Sequence, residues 1–361
     1  MRHVSISLVS ASMSSRVPAV VGLSKAELQA AACHERGDRV PGDPATTTFK
    51  RAARLHQARW REARGYPMGT QPLNPARPRV SRTTGEPVPP RPIGSNLDLA
   101  FARQSGANFL SDEVRQAVAH RLAHRQIDQM LDEERLYASL LSSMPMCFNL
   151  FGCFASPADA TEAVKAWWPD TPGTVSEVIF EWSPGRRDPA YLGNRSAFDV
   201  AFILDLGGGR QGVLGVETKY HEHPTPVGIR PQRVERYRAV AERSGLFDPT
   251  TVDGLLGGAH TTPPTEPDRR SQIWLDHLLA LSIDQHPAWD YARFVIAYPD
   301  ANPSWAHLVA DYRQLVGPGE PTFVAISFDE LVAAGCYDAS YQDRLVERYR
   351  CWPTTPEADC S

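Results

Sequence analysis

The chain has no run approaching the roughly 18 apolar residues that a helix needs to cross a bilayer, so a helical membrane span is excluded. Its opening residues, MRHVSISLVSASMSS, carry a single Arg and a short apolar stretch broken by serines, with no cleavage site after it. A secretory leader is therefore not expected. Cysteine is sparse and unordered: Cys33, Cys147, Cys153, Cys336, Cys351 and Cys360 form no CxxC pair and no regular framework. That pattern reads as free thiols in a reducing cytoplasm, not as a zinc site or a disulfide scaffold. There is no GxSxG, which removes the commonest serine-hydrolase signature. The glycine-rich GGGR at 207–210 lacks the Lys-Ser/Thr pair and the helix onset of a phosphate-binding loop, and reads as a turn. No internal repeat is visible.

What is present is a chain of 361 residues, 42% of them hydrophobic, long enough for one large or two ordinary domains with a real core. The net charge of −4 argues against a uniformly basic nucleic-acid-coating protein, yet the charge is unevenly spread. Residues 1–95 hold 15 Lys or Arg against 6 Asp or Glu, whereas residues 96–361 hold 23 against 36. Basic chemistry is concentrated at the front.

Four regions are expected. Residues 1–45 lack sustained periodicity and read as poorly ordered. Residues 46–155 read as a mostly helical region, with an amphipathic, Arg-rich helix over TTTFKRAARLHQARWREARG and a Pro/Arg-rich loop from Gly65 to Pro92. Within it, Ser111–Ser142 repeats apolar residues at Val114, Val118, Leu122, Ile127, Leu131, Leu136 and Leu140, which fits one long helix or two consecutive ones. Residues 156–350 open with a short helix over PADATEAVKAWW and then turn to β-rich segments: VSEVIFEW (175–182), FDVAFILDL (198–206) and QGVLGVETKY (211–220). Helices near 230–243 and 269–283, the strand ARFVIAYP, a helix from about Ser304, the strand TFVAIS and a helical tail follow. Residues 351–361 are a tail. Strands separated by helices imply an α/β (α+β) fold, a mixed central β-sheet flanked by helices.

The chemistry gathers in the third of those β segments. Glu217 and Lys219 are two residues apart, so the period of two puts both side chains on one face, with Val216, Thr218 and Tyr220 on the other. Asp199 lies near the start of the preceding strand, and a hairpin returning through GGGR brings it opposite Glu217. Two carboxylates suit a hard, oxygen-ligated cation such as Mg²⁺, and a neighbouring lysine can orient an attacking water or stabilise developing negative charge.

The order Asp, then Glu-x-Lys, on a hairpin resembles the PD-(D/E)XK nuclease superfamily, carried here by FDVAFILDLGGGRQGVLGVETKY. The segments RLHQARWRE (54–62), SGANFLSDEV (105–114), RLYASLLSSMPMCFNLFG (135–152), FEWSP (180–184) and ETKYHE (217–222) are similar to the bacterial and phage group of restriction-endonuclease-like proteins within it. The resemblance extends from about 46 to 350. It implies a restriction-endonuclease-like core, Mg²⁺ (with Mn²⁺ as a substitute) held by Asp199 and Glu217, and Lys219 acting on the water. A further upstream acid is implied, for which Glu181 and Glu134 are candidates, Glu181 being preferred. Phe198 stands where the nominal proline would precede the acid, a departure that leaves the ligands untouched.

The function implied is a metal-dependent endonuclease hydrolysing DNA phosphodiester bonds. The alternatives are a catalytically inactive nuclease-fold protein that binds nucleic acid or a protein partner, and a hydrolase of some other phosphate ester, which would need a closed pocket. DNA is the expected partner, with symmetric duplex cleavage calling for a homodimer. Accessory candidates are Glu222 and His221 beside the strand end, Gln232 on the basic helix, and Arg59, Arg61, Arg230 and Arg233 as phosphate contacts. His120 and His124 at helical spacing lack a third ligand and read as a solvated face. Gln272, Trp274 and Leu278 read as packing against the sheet.

Overall fold

The computed structural model describes residues 23–71, 80–81, 83–154, 156–257 and 268–352. Residues 1–22, 72–79, 82, 155, 258–267 and 353–361, with Cys360 among them, lie outside that set. Capping chemistry sets the first elements. Ser24 and Glu27 form a reciprocal capping box that opens α1 (Lys25–Ala30). Leu28 of α1 and Cys33 are buried against Leu55 and Ala58. Residues 23–45 thus correct the expectation of a loose segment: the box was written in the sequence as Ser-x-x-Glu. The long helix α2 (Pro44–Ala63) starts at Asp43, whose carboxylate accepts from the Thr46 N–H at 2.9 Å, with Pro44 in the first turn.

A small antiparallel pair, β1 (Met68–Thr70) and β2 (Pro92–Leu97), brackets the Pro/Arg-rich loop. Then come α3 (Leu99–Ser105), α4 (Asp112–Ala123), α5 (Glu133–Ala138), α6 (Ser143–Phe151) and α7 (Pro157–Trp167). The apolar series expected over Ser111–Ser142 divides into α4 and α5. Leu131 and Leu136 are buried, but Ile127 falls in the connecting turn and is 91% exposed.

The main sheet has five strands in the order β3-β4-β5-β6-β7: β3 (Thr174–Trp182), β4 (Phe198–Gly207), β5 (Arg210–Thr218), β6 (Tyr291–Tyr298) and β7 (Phe323–Ser327). The first three are antiparallel, and β5, β6 and β7 run parallel. Parallel neighbours require crossovers, supplied by α8 (Pro231–Ser244), α9 (Pro249–Leu256) and α10 (Ser271–Asp284) before β6 and by α11 (Pro303–Val316) before β7. The short helix α12 (Phe328–Ala333) and α13 (Ala339–Tyr349) close the fold.

Each sheet face has its own core. On one, Val200, Phe202, Leu204, Leu214 and Val216 pack against α4, α6, α7, α12 and α13. On the other, Ala201, Ile203, Val213, Phe294 and Ile296 pack against α8, α9, α10 and α11. A fully buried Phe or Leu stabilises by about 1.5–3 kcal/mol, so the layers hold the sheet as a rigid platform. Trp274 and Leu278 are buried in the second core, as the sequence pattern suggested. Among the described residues no helix is long and apolar enough to cross a membrane, and Cys33, Cys147, Cys153, Cys336 and Cys351 are free thiols.

Candidate active site

The hairpin between β4 and β5 decides which side chains meet. Gly207 pairs with Arg210, leaving Gly208 and Gly209 at the tip with φ of 65° and 78°. Two successive positive φ values are the two-residue hairpin turn that matches strand twist, and glycine adopts them without strain. A bulge between Asp205 and Gly207 then shifts the register by one residue, so that Val200 lies opposite Val216 and Asp199 beside Glu217. Asp199 Oδ2 accepts the Thr218 N–H at 2.8 Å. A glycine at 215 is needed here, because a Cβ at that position would lie 2.3 Å from the Phe198 ring, which crosses over the strand. That ring is also stacked between Trp182 and Phe294, fixing the backbone next to Asp199.

Glu217 and Lys219 project together, and Lys219 Nζ lies 2.5 Å from Glu217 Oε1. The ammonium also sits 5.3 Å from the centroid of the Trp305 ring. Burial opposes its charge, but Glu217, Asp276 and Asp199 around it more than offset that, and its pKa is raised. Burial, then the Glu217 charge, push the Asp199 carboxyl well above its ordinary range.

Glu181 joins the group from the edge strand. Phe180 pairs with Val200 and Trp182 with Phe198, so Glu181 stands across from Asp199. Its φ of 50° is left-handed, and the strand's alternation breaks there, Phe180 packing in one core and Trp182 in the other. Such a backbone costs about 1–3 kcal/mol in a residue with a side chain and persists only where its surroundings enforce it. They do: Arg186 Nη2 donates to the Glu181 carbonyl at 2.7 Å and Gln129 Nε2 donates to the same carbonyl at 3.1 Å. Arg186 also reaches the Glu181 carboxylate at 3.4 Å. Burial raises the Glu181 carboxyl despite Arg186, with Glu217 adding to the rise. Glu134 stands in the first turn of α5 and takes no part in these bonds.

Burial and the Glu217 charge raise both Asp199 and Glu181, and carboxylates so placed are hard oxygen donors in want of positive charge. Asp199 Oδ1 and Glu217 Oε2 accept no hydrogen bond from the described residues, and they suit a divalent cation. As the side chains stand, no three His, Cys, Asp or Glu among the described residues are grouped so as to hold a metal ion, and a cation would have to draw these carboxylates together.

The accessory candidates separate cleanly. Glu222 Oε2 accepts the Tyr220 N–H at 2.8 Å, while its Oε1 lies 3.4 Å from the Ser143 N and 3.5 Å from Arg135. Asn302 and Trp305 each donate to the Glu222 carbonyl at 2.9 Å. His221 Nδ1 is 3.1 Å from the Leu141 carbonyl. Both residues fasten the end of β5. Arg61 departs from the expected phosphate contact. It is buried, and its guanidinium is committed to the carbonyls of Gly94 at 2.9 Å and Tyr66 at 2.7 Å and to Glu62. Arg59 is exposed on α2, 3.7 Å from Glu27. His120 and His124 stack on each other with centroids 4.2 Å apart.

Arg230 and Arg233 line a groove of about 720 Å³ with Arg187, Arg195, Asn194 and Tyr237; its lining residues include no acid, although Asp128 pairs with Arg187 and Arg195. Gln232 is exposed in the first turn of α8 beside it. Two participants escaped the sequence reading. Asp276 on α10 lies close enough to Glu217 and Lys219 for burial and then the Glu217 charge to raise it well above its ordinary range. It was the lone acid in the apolar run QIWLDHLLALSI, a signal read only as packing. Arg186, which clamps Glu181, had no signal beyond the turn it occupies.

No curated protein and no solved structure matches the chain significantly. A family profile, that of the PD-(D/E)XK nuclease superfamily, matches residues 43–351. With that span covering most of the chain and the Asp, Glu-x-Lys hairpin at its centre, the protein belongs to the PD-(D/E)XK nuclease superfamily.

Proposed function

We propose that the protein is a divalent-metal-dependent endonuclease that hydrolyses DNA phosphodiester bonds. The observation that carries this reading is the meeting of Asp199, Glu217 and Glu181 with the Lys219 ammonium where β3, β4 and β5 adjoin. Asp199, Glu217 and Glu181 are the residues that would hold Mg²⁺, with Mn²⁺ as a substitute. When bound, such a cation neutralises phosphate charge and makes water a better nucleophile at neutral pH.

The chain's own residues do the rest. Lys219, kept protonated by the carboxylates around it, is suited to donating a hydrogen bond to a phosphate oxygen rather than to removing a proton. The Thr218 N–H holds Asp199 in line, and the Trp305 ring lies against the Lys219 ammonium. Arg230, Arg233, Arg187 and Arg195 line the groove in which the DNA backbone would lie, with Arg59 as a more distant contact. An open groove fits a polymer better than a small phosphate ester.

The test is incubation of the purified protein with plasmid, linear duplex and single-stranded DNA in Mg²⁺, Mn²⁺ or EDTA, beside Glu217→Ala and Lys219→Ala. Cleavage that needs metal and disappears in both variants is expected. Intact DNA under every condition, or equal cutting by the variants, sinks the assignment. DNA binding without cutting favours an inactive nuclease fold instead.

A further inference from the structure

The turn between α4 and α5 presents the two most exposed large apolar side chains among the described residues, Ile127 at 91% and Met130 at 64%. Exposed apolar groups on a loose loop carry little information. This loop is not loose. The Gln129 N–H donates to the Gln126 carbonyl at 3.2 Å, and the Gln126 N–H donates back to Gln129 Oε1 at 3.0 Å, closing a tight turn. Asp128, with φ of 66°, occupies its third position and leaves Ile127 at the tip.

The turn is bolted to the strand that carries Glu181. Gln129 Nε2 donates to the Glu181 carbonyl, and Arg186 bridges Gln126 Oε1 at 2.9 Å to that same carbonyl. Its flanks are cationic: Asp128 holds Arg187 at 2.8 Å and Arg195 at 3.1 Å, the same two arginines that border the groove with Arg230 and Arg233. A rigid apolar tip between arginines, fixed to an acid of the active site, matches a polyanion with a stacked apolar interior.

We propose that Ile127 and Met130 form a wedge that enters the base stack of duplex DNA beside the site of cleavage, while Arg187 and Arg195 hold the flanking phosphates. Apolar side chains inserted between base steps unstack them and kink the duplex. A groove of about 800 Å³ at the foot of the turn, lined by Gln126, His124, Phe154 and Ile179, gives the displaced base room. The inference rests on the DNA reading above and adds a substrate class to it: the preferred substrate is duplex that the protein itself distorts.

The full-length protein in EDTA is mixed with duplexes carrying one 2-aminopurine at successive positions, and anisotropy and 2-aminopurine fluorescence are read from the same samples. Wild type is expected to raise fluorescence several-fold at one or two adjacent positions. The double substitution Ile127→Ser with Met130→Ser should abolish that rise while leaving the thermal midpoint and single-strand affinity within twofold, because both side chains are exposed. Duplex bound with no rise, or an equal rise in the variant, overturns the wedge while leaving the nuclease reading intact. Absence of DNA binding by any probe overturns both. Self-association of wild type that the variant loses, without a fluorescence change, assigns the tip to a second copy of the chain instead.

Discussion

On one flank of Glu217 and Lys219, the segment Tyr220–His223 has a partner for each of its polar groups that could have served chemistry. Glu222 closes on the Tyr220 N–H, His221 on the Leu141 carbonyl, and Tyr220 Oη accepts from Gln57 at 2.7 Å. His223 meets Lys50, whose ammonium also reaches the Gly37 carbonyl at 3.1 Å. On the other flank, Glu181 is held in left-handed backbone, Arg186 keeps a buried Nε without a partner, and Ile127 stands in solvent. The residue types are alike: Glu, His and Lys against Glu, Arg and Gln. What differs is whether local demands are met. The bonded residues of the first flank fasten the scaffold, and the left-handed Glu181 marks where strain is held beside the site.

Asp199→Asn should break the contrast most sharply. Cleavage is expected to fall by about a thousandfold, an effect of the size found when a key electrostatic group is removed. Stability in EDTA should not fall with it. Burial and the Glu217 charge raise the Asp199 carboxyl, so the folded protein keeps that proton to higher pH than the unfolded chain. The associated stability is present below the unfolded pKa and is lost as pH rises through the folded one. Melting curves across that range should therefore decline with pH in wild type and flatten in the variant. A lower melting point for Asp199→Asn at neutral pH would refute the account.

Glu222→Ala should do the reverse. Removing the acceptor of the Tyr220 N–H leaves a donor unsatisfied, and about 1–3 kcal/mol of stability is expected to go, read as a lower urea midpoint. Metal-dependent cleavage per folded molecule should stay within about tenfold, since Glu222 acts through the position of β5. Abolished cleavage with unchanged stability would move Glu222 into the chemistry.

Two arginine substitutions extend the comparison beyond the site. Arg61→Ala should destabilise by a similar 1–3 kcal/mol and leave the salt dependence of DNA binding unchanged, because its guanidinium is committed to backbone carbonyls. Arg233→Ala should leave the melting point near wild type and reduce the slope of log affinity against log salt by about 0.9, the smallest effect of the set. Equal slopes for both would mean that the groove does not meet phosphate.

The hairpin was the most legible part of the sequence, since a glycine run between two β-rich segments admits few geometries, and the period of two then fixes Glu217 and Lys219. The helix caps were less so: the long basic helix is capped by Asp43, ahead of the threonines at its expected start, and the Ser24 to Glu27 box stands in a segment that looked formless. The break between α4 and α5 was not. Ile127 continued the apolar series in name only, and the turn that exposes it depends on Gln129 meeting Glu181 and Gln126 meeting Arg186, contacts 52 and 60 residues apart in the chain. Asp276 was hidden for the same reason: its place beside Lys219 follows from how α10 crosses the sheet. Arg61 misled because a charged residue in an Arg-rich helix looks solvated until the carbonyls of Tyr66 and Gly94 close on it.

The absent side chain at position 215 bears on how this protein can vary. Any Cβ there drives into the Phe198 ring, and Phe198 adjoins Asp199, so even alanine would shift the acid without altering a single reactive group. A saturation screen scored on activity would rank Gly215 with the carboxylates, and a reader of such a map would take it for machinery. It is a clearance: the mutational freedom of the site is limited as much by a space that must stay empty as by the charges that surround it.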